Sequence, residues 1–209
     1  MKQPSEAALN LILEYEVGGG KDFYDKYLSR PTWPGGHSGP TVGIGIDLAY
    51  YTQSELANMF SFLPSTQLKA VEGASGKTSE AGRAYVKQIK NLNIVVTWDQ
   101  AIKIFEQTTW PKFARLTERT FPGVDQLCDN AYGALVSLVF NRGSSLSGDS
   151  RIEMRNIKDL VSKKDYTGIA EELRKMKRIW EGKGLDGLIS RREGSSKIKR
   201  CSKGFKRQR

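Results

Sequence analysis

One segment restricts the fold of this 209-residue chain more than any other: residues 130–140, which hold Ala134, Leu135, Val136, Leu138 and Val139 with few charges. A helix that is apolar all round has no face to offer to water, so other elements must bury it. The chain supplies amphipathic candidates. Ala8, Leu9, Ile12 and Leu13 form one stripe of a helix that Ser5 would cap and that runs to about Tyr15. Thr52-Gln53-Ser54-Glu55 carries a capping-box pattern and opens a helix to about Phe62. Thr97 should cap another, running through Ile102 and Phe105. Further helices are expected over residues 79–90, 150–161, 165–178 and 185–193, with polar residues 72–79 and the prolines Pro111 and Pro122 as breaks.

Between the first helix and this helical remainder the pattern changes. Gly18-Gly19-Gly20 stops the first helix, leaving Glu14 and Glu16 at or just past its last turn. Residues 22–28 then read as a strand, residues 31–40 as a Pro/Gly-rich tip, and residues 41–48 as a returning strand of a β-hairpin. Gly43 and Gly45 would strip side chains from one face, so that a ligand or another backbone can come close. The expected fold is therefore α+β, mainly helical. One domain is expected over residues 1–194, with a hairpin lobe at about 17–50, a helical lobe at about 51–194, and a basic tail over 195–209.

The chain has 33 basic and 23 acidic residues, a net charge of +10, which points to an anionic partner: nucleic acid, acidic membrane or acidic cell-wall polymer. Cys128 and Cys201 are expected to be unpaired thiols. The N-terminal residues carry no apolar secretory core, and no stretch approaches the roughly 20 apolar residues of a membrane helix. Synthesis in the cytoplasm is expected, with another agent releasing the protein if its substrate lies outside.

Several chemistries drop out. A lone histidine, His37, argues against a Ser-His-Asp triad or a zinc hydrolase. Gly43-Ile44-Gly45 lacks the third glycine and following helix of a dinucleotide site, and there is no phosphate-binding Gly-Lys-Ser/Thr loop, so no cofactor is expected. Acids remain. A carboxylic acid at a helix end beside a glycine-rich hairpin suits glycoside hydrolysis, in which one carboxyl donates a proton to the leaving oxygen and a second group activates water or stabilises the oxocarbenium ion. The donor needs partly apolar surroundings to stay protonated, and Tyr15, Phe23 and Tyr24 are the candidates to supply them. Glu14 is two residues from Glu16, about 200° around the helix, so only one of them can face a given site.

These residues also carry a resemblance. Glu16 at a helix end, an aromatic-bearing segment, and Thr41-Val42-Gly43-Ile44-Gly45 resemble the opening of the phage-type lysozyme family. Leu138-Val139-Phe140-Asn141-Arg142-Gly143 resembles the end of that family's core helix. Residues 155–166, then Trp180, Gly184-Leu185 and Leu188-Ile189-Ser190-Arg191-Arg192-Glu193, are similar to its closing segments. The resemblance implies a small α/β lobe and a larger helical lobe with peptidoglycan in a cleft between them. It also implies cofactor-free hydrolysis of the β-1,4 bond between N-acetylmuramic acid and N-acetylglucosamine. Glu16 would be the general acid, and Thr41 would help place the attacking water.

For the second carboxylate there are two candidates. Asp25 has the family's spacing from Glu16 but lies sixteen residues before Thr41. Asp47, just past Gly45, sits where the family has a histidine after its last glycine, and it is preferred. Trp33 and His37 in the tip, and Asn141 and Arg142 at the end of the core helix, are candidate substrate contacts. Peptidoglycan is the expected partner of a monomeric enzyme, with the basic tail adhering to the anionic envelope and no protein partner required. The alternatives are a lytic transglycosylase, a chitosanase-like hydrolase, or a non-catalytic basic module that binds cell wall or nucleic acid.

Overall fold

A computed structural model describes residues 2–18 and 20–196. The fold is α+β and mainly helical, 68% helix with one two-stranded antiparallel sheet. The chain divides into two compact units. Unit 1 joins Met1–Tyr15 to Thr109–Arg209, and unit 2 is Glu16–Thr108, running well past the hairpin.

In unit 1, α8 (Asp129–Arg142) is the expected core helix: every residue from Ala131 to Val139 is buried. Its small residues allow close approach. A Cβ on Gly133 would collide with the Cβ of Ala8, on α1 (Glu6–Val17). Ser5 caps α1 as expected, its Oγ accepting from the Ala8 N–H at 3.2 Å. α7 (Trp110–Thr120) and α11 (Asp186–Ser196) pack on α8, and α10 (Tyr166–Lys175) packs on α11 and on α9 (Ile152–Ser162). Asp165 caps α10 by accepting from the Gly168 N–H at 2.9 Å.

Pro111 does not break the chain as expected. It falls in the first turn of α7, where its missing N–H costs nothing. Ser195 and Ser196, expected in the tail, are buried at the end of α11; the rest of the tail, 197–209, lies outside the described residues. Cys128 is a free thiol, while Cys201 lies outside the described residues.

In unit 2 the helices are α2 (Gly20–Tyr27), α3 (Gln53–Met59), α4 (Ser65–Glu72), α5 (Ser79–Ile89) and α6 (Trp98–Ile104). Thr52 and Thr97 both form complete capping boxes, with Glu55 and Gln100. α4 comes without a sequence expectation. The largest difference is α2, which replaces the expected strand over 22–28. Phe23, Tyr24, Tyr27 and Leu28 recur at helical spacing, and burial of Tyr24, whose hydroxyl donates to the Val96 carbonyl at 2.8 Å, fixes the helix to the residues before α6. The hairpin therefore folds wholly within residues 41–47, as β1 (Thr41–Val42) and β2 (Ile46–Asp47).

Candidate active site

The hairpin turns on three residues, Gly43-Ile44-Gly45. Both glycines have left-handed backbone, φ +69° and +68°, which a side chain would strain, and Ile44 between them is buried. The glycines thus make the turn; a Cβ on Gly45 would meet nothing within 4 Å, while one on Gly43 would lie 3.6 Å from the Ala101 methyl. In this register Thr41 lies directly opposite Asp47 and Val42 opposite Ile46. Opposed residues of an antiparallel pair project to the same face, so Thr41 and Asp47 share one. On its other side Thr41 bridges Thr32, with N–H to carbonyl bonds of 2.7 and 2.8 Å. Its hydroxyl donates to the Gly39 carbonyl at 3.2 Å.

Asp47 is half-buried and held by backbone alone. Its carboxylate accepts from the Gly39 N–H at 2.9 and 3.2 Å, and from the Ala49 N–H at 3.1 Å, where it caps a short 3₁₀ turn over Leu48–Tyr50. A carboxylate offers about four lone-pair positions, so this pinning still leaves room for a water. Gly39 has no alternative: a Cβ there would sit 2.6 Å from the Lys77 carbonyl and 2.8 Å from Asp47 Oδ1, and would strike the Ala49 methyl.

Asp25 stands elsewhere. It is exposed on α2 and paired with Lys21 one turn away, not on a strand. Glu16 occupies the last turn of α1 and is exposed. Of the three aromatics expected around it, Tyr24 is fully buried with its hydroxyl donating to Val96, Phe23 is exposed, and Tyr15 is half-buried and donates to the Ser190 carbonyl at 2.7 Å. Glu14 instead lines a pocket of unit 1 with Tyr15, Ser190 and Glu193.

The tip residues are individually anchored. Trp33 donates through Nε1 to the Ser38 carbonyl at 2.9 Å, with the Arg83 guanidinium 5.6 Å from its ring centre. His37 is exposed, its Nδ1 3.4 Å from the Ser79 hydroxyl.

In unit 1, α8 ends in Asn141 and Arg142, and both are engaged by the protein itself. Arg142 donates to the Ser150 carbonyl at 2.7 Å and stacks 4.8 Å from the Trp180 ring centre. Asn141 accepts from Arg192 at 3.4 Å. The α11 arginines are buried more deeply than their sequence pattern indicates. Arg192 is fully inaccessible, with Nε and Nη1 lacking hydrogen-bond partners. Burial, with Arg191 and Arg142 nearby, pushes its guanidinium down to about 9; burial and Arg151 push Arg142 down to about 10. Because guanidinium keeps its proton, these shifts express the cost of burying charge rather than a neutral side chain. Leu185-x-x-Leu188-Ile189 beside Arg191-Arg192 reads as an ordinary amphipathic helix, so nothing local announces it.

Among the described residues no cluster of His, Cys, Asp or Glu is arranged to hold a metal. A search of curated proteins finds no match. The Phage lysozyme family matches over residues 64–195, more than half of the chain and downstream of Glu16, Thr41 and Asp47. On that match the chain belongs to the phage lysozyme family, whose members are peptidoglycan-cleaving glycosidases.

Proposed function

We propose that the protein cleaves the β-1,4 bond between N-acetylmuramic acid and N-acetylglucosamine in bacterial peptidoglycan, with Glu16 donating the proton to the leaving oxygen. Family membership is the observation that carries this reading. Glu16 is exposed, so a bound sugar chain would itself supply the desolvation that keeps the acid protonated. Asp47 is the second carboxylate: it shares a face with Thr41, and backbone donors hold it without a neutralising cation. Thr41 and Asp47 together would orient a water toward the anomeric carbon. Asp25, paired with Lys21 on a helix, has no such companion. Trp33, His37, Asn141 and Arg142 are proposed to contact substrate, and the basic tail to adhere to the anionic envelope. The enzyme would act on the wall as a monomer after another system releases it.

The test is loss of turbidity of outer-membrane-stripped cells. Wild type should clear them, and Glu16→Gln should be at least about a hundredfold slower, the scale of losing a general acid. Equal rates would remove Glu16 from the mechanism. The three backbone bonds to Asp47 support one further reading, in which that carboxylate is purely structural and the sugar's own hydroxyl attacks. Products with 1,6-anhydro ends would identify such a lytic transglycosylase; reducing ends identify hydrolysis.

A further inference from the structure

Unit 1 carries a trough between α1 and α11 that the hairpin chemistry does not use. Leu11, Glu14 and Tyr15 of α1 face Ser190, Glu193 and Gly194 of α11 across about 440 Å³. A smaller pocket of about 110 Å³ extends it past Leu11 and Gly194 to Ser195. The missing side chain of Gly194 makes the room: a Cβ there would lie 2.8 Å from the Tyr15 hydroxyl and 3.3 Å from Leu11. Tyr15 lies against α11 and donates to the Ser190 carbonyl at 2.7 Å.

The trough is anionic. Its charged groups are Glu14 and Glu193, and among the described residues neither pocket is lined by a Lys or Arg. Arg191, 5.7 Å from the Tyr15 ring centre, is buried and lines neither. Lys177 pairs with Glu193 at 3.1 Å. Glu14 is exposed in the last turn of α1, where the helix dipole disfavours a carboxylate and a cation beside it would relieve the repulsion.

Residues 197–209 follow α11 directly and carry seven Lys or Arg and no Asp or Glu, most of the net charge of +10. Tethered just beyond Ser195, such a segment meets the trough at a roughly millimolar effective concentration. Lys and Arg stems pack along small apolar walls while their heads reach carboxylates. We propose that this trough docks the chain's own residues 197–209, and that anionic surfaces compete with it for them. The free protein then keeps part of its positive charge engaged until a polyanion displaces the trough.

Cys201 lies in that segment and serves as the reporter. In full-length Cys128→Ser protein, a substitution suited to the start of α8, its alkylation by uncharged iodoacetamide is timed at low salt. Adding Glu14→Lys should raise the rate at least about threefold, and salt at roughly 0.5 M should bring the parent protein to the same rate. Lysine suits the end of α1, so this variant should unfold no earlier than its parent. Asp159→Lys, the same reversal at an exposed site on α9, should leave the rate unchanged. Glu14→Lys should also bind phosphatidylglycerol vesicles at least about threefold more tightly than Asp159→Lys, since the competing trough is gone. Equal alkylation with and without Glu14→Lys overturns the proposal, as does equal acceleration by Asp159→Lys, which would reflect overall charge alone. Protection that grows with protein concentration also overturns it, because the segment would then lie on a second copy. None of these readouts involves cleavage, so full activity of Glu16→Gln would undo the glycosidase mechanism and leave this result standing.

Discussion

The Asp47 hairpin and the arginines around the end of α8 handle buried charge in opposite ways. At the hairpin every bond to the carboxylate comes from a backbone N–H within eight residues of it. At the end of α8 the Arg192 guanidinium is taken out of water with few acceptors: among the described residues it donates to Asn141, 51 residues away, and two of its nitrogens have no hydrogen-bond partner. The first arrangement is cheap and local. The second costs stability, because a buried charge without a counter-charge keeps most of its desolvation penalty. A fold keeps such a group where something other than stability is served.

That contrast can be broken by substitution. The largest effect is expected at Gly39: Gly39→Val should destabilise by about 3 kcal/mol in urea unfolding, the upper range for overpacking, and should abolish cell-wall clearance as Asp47 is displaced. A variant with wild-type stability would show that the hairpin yields more easily than its contacts imply. Next is Arg192→Met, which should raise stability by about 2 kcal/mol, since an apolar side chain of similar volume replaces an unpaired buried charge. A loss of that size would mean that the guanidinium is better satisfied than its geometry shows, and the comparison would fail.

Asp47→Asn should cost about 1 kcal/mol, the usual worth of a capping acceptor, yet lower turnover by about a hundredfold. Equal, small effects on both would leave Asp47 with a structural role only. Smallest is Asp25→Asn, for which turnover within about twofold of wild type and a stability change under about 0.5 kcal/mol are expected from an exposed ion pair. A large loss of activity would restore Asp25 as the second carboxylate.

The same contrast explains how far the sequence could be read. Local signals were reliable: the charge-poor core helix, the Thr52 and Thr97 capping boxes, and the Ser5 cap are all present. The pairing of Thr41 with Asp47 depends only on a three-residue glycine turn, and the segment from 41 to 47 contains all of it. What was missed depends on distant partners. Aromatic residues at 23, 24 and 27, with Leu28, suit a strand or a helix, and the choice is made by Tyr24 reaching Val96, 72 residues on. Burial of Arg192 likewise depends on α8. Exposure of Glu16 could not be read at all from the glycines that follow it.

The absent methyl group at position 39 also bears on how this protein can vary. Thr32, bridged to Thr41, and Trp33, bonded to the Ser38 carbonyl, fix the ends of the tip, so changes of length fall between them, at residues 34–37. Whatever the tip does, the chain must return through one position with no β-carbon, within reach of both Ala49 and Lys77. Side chains upstream of that gate can be exchanged by ordinary substitution, while the gate itself admits a single amino acid.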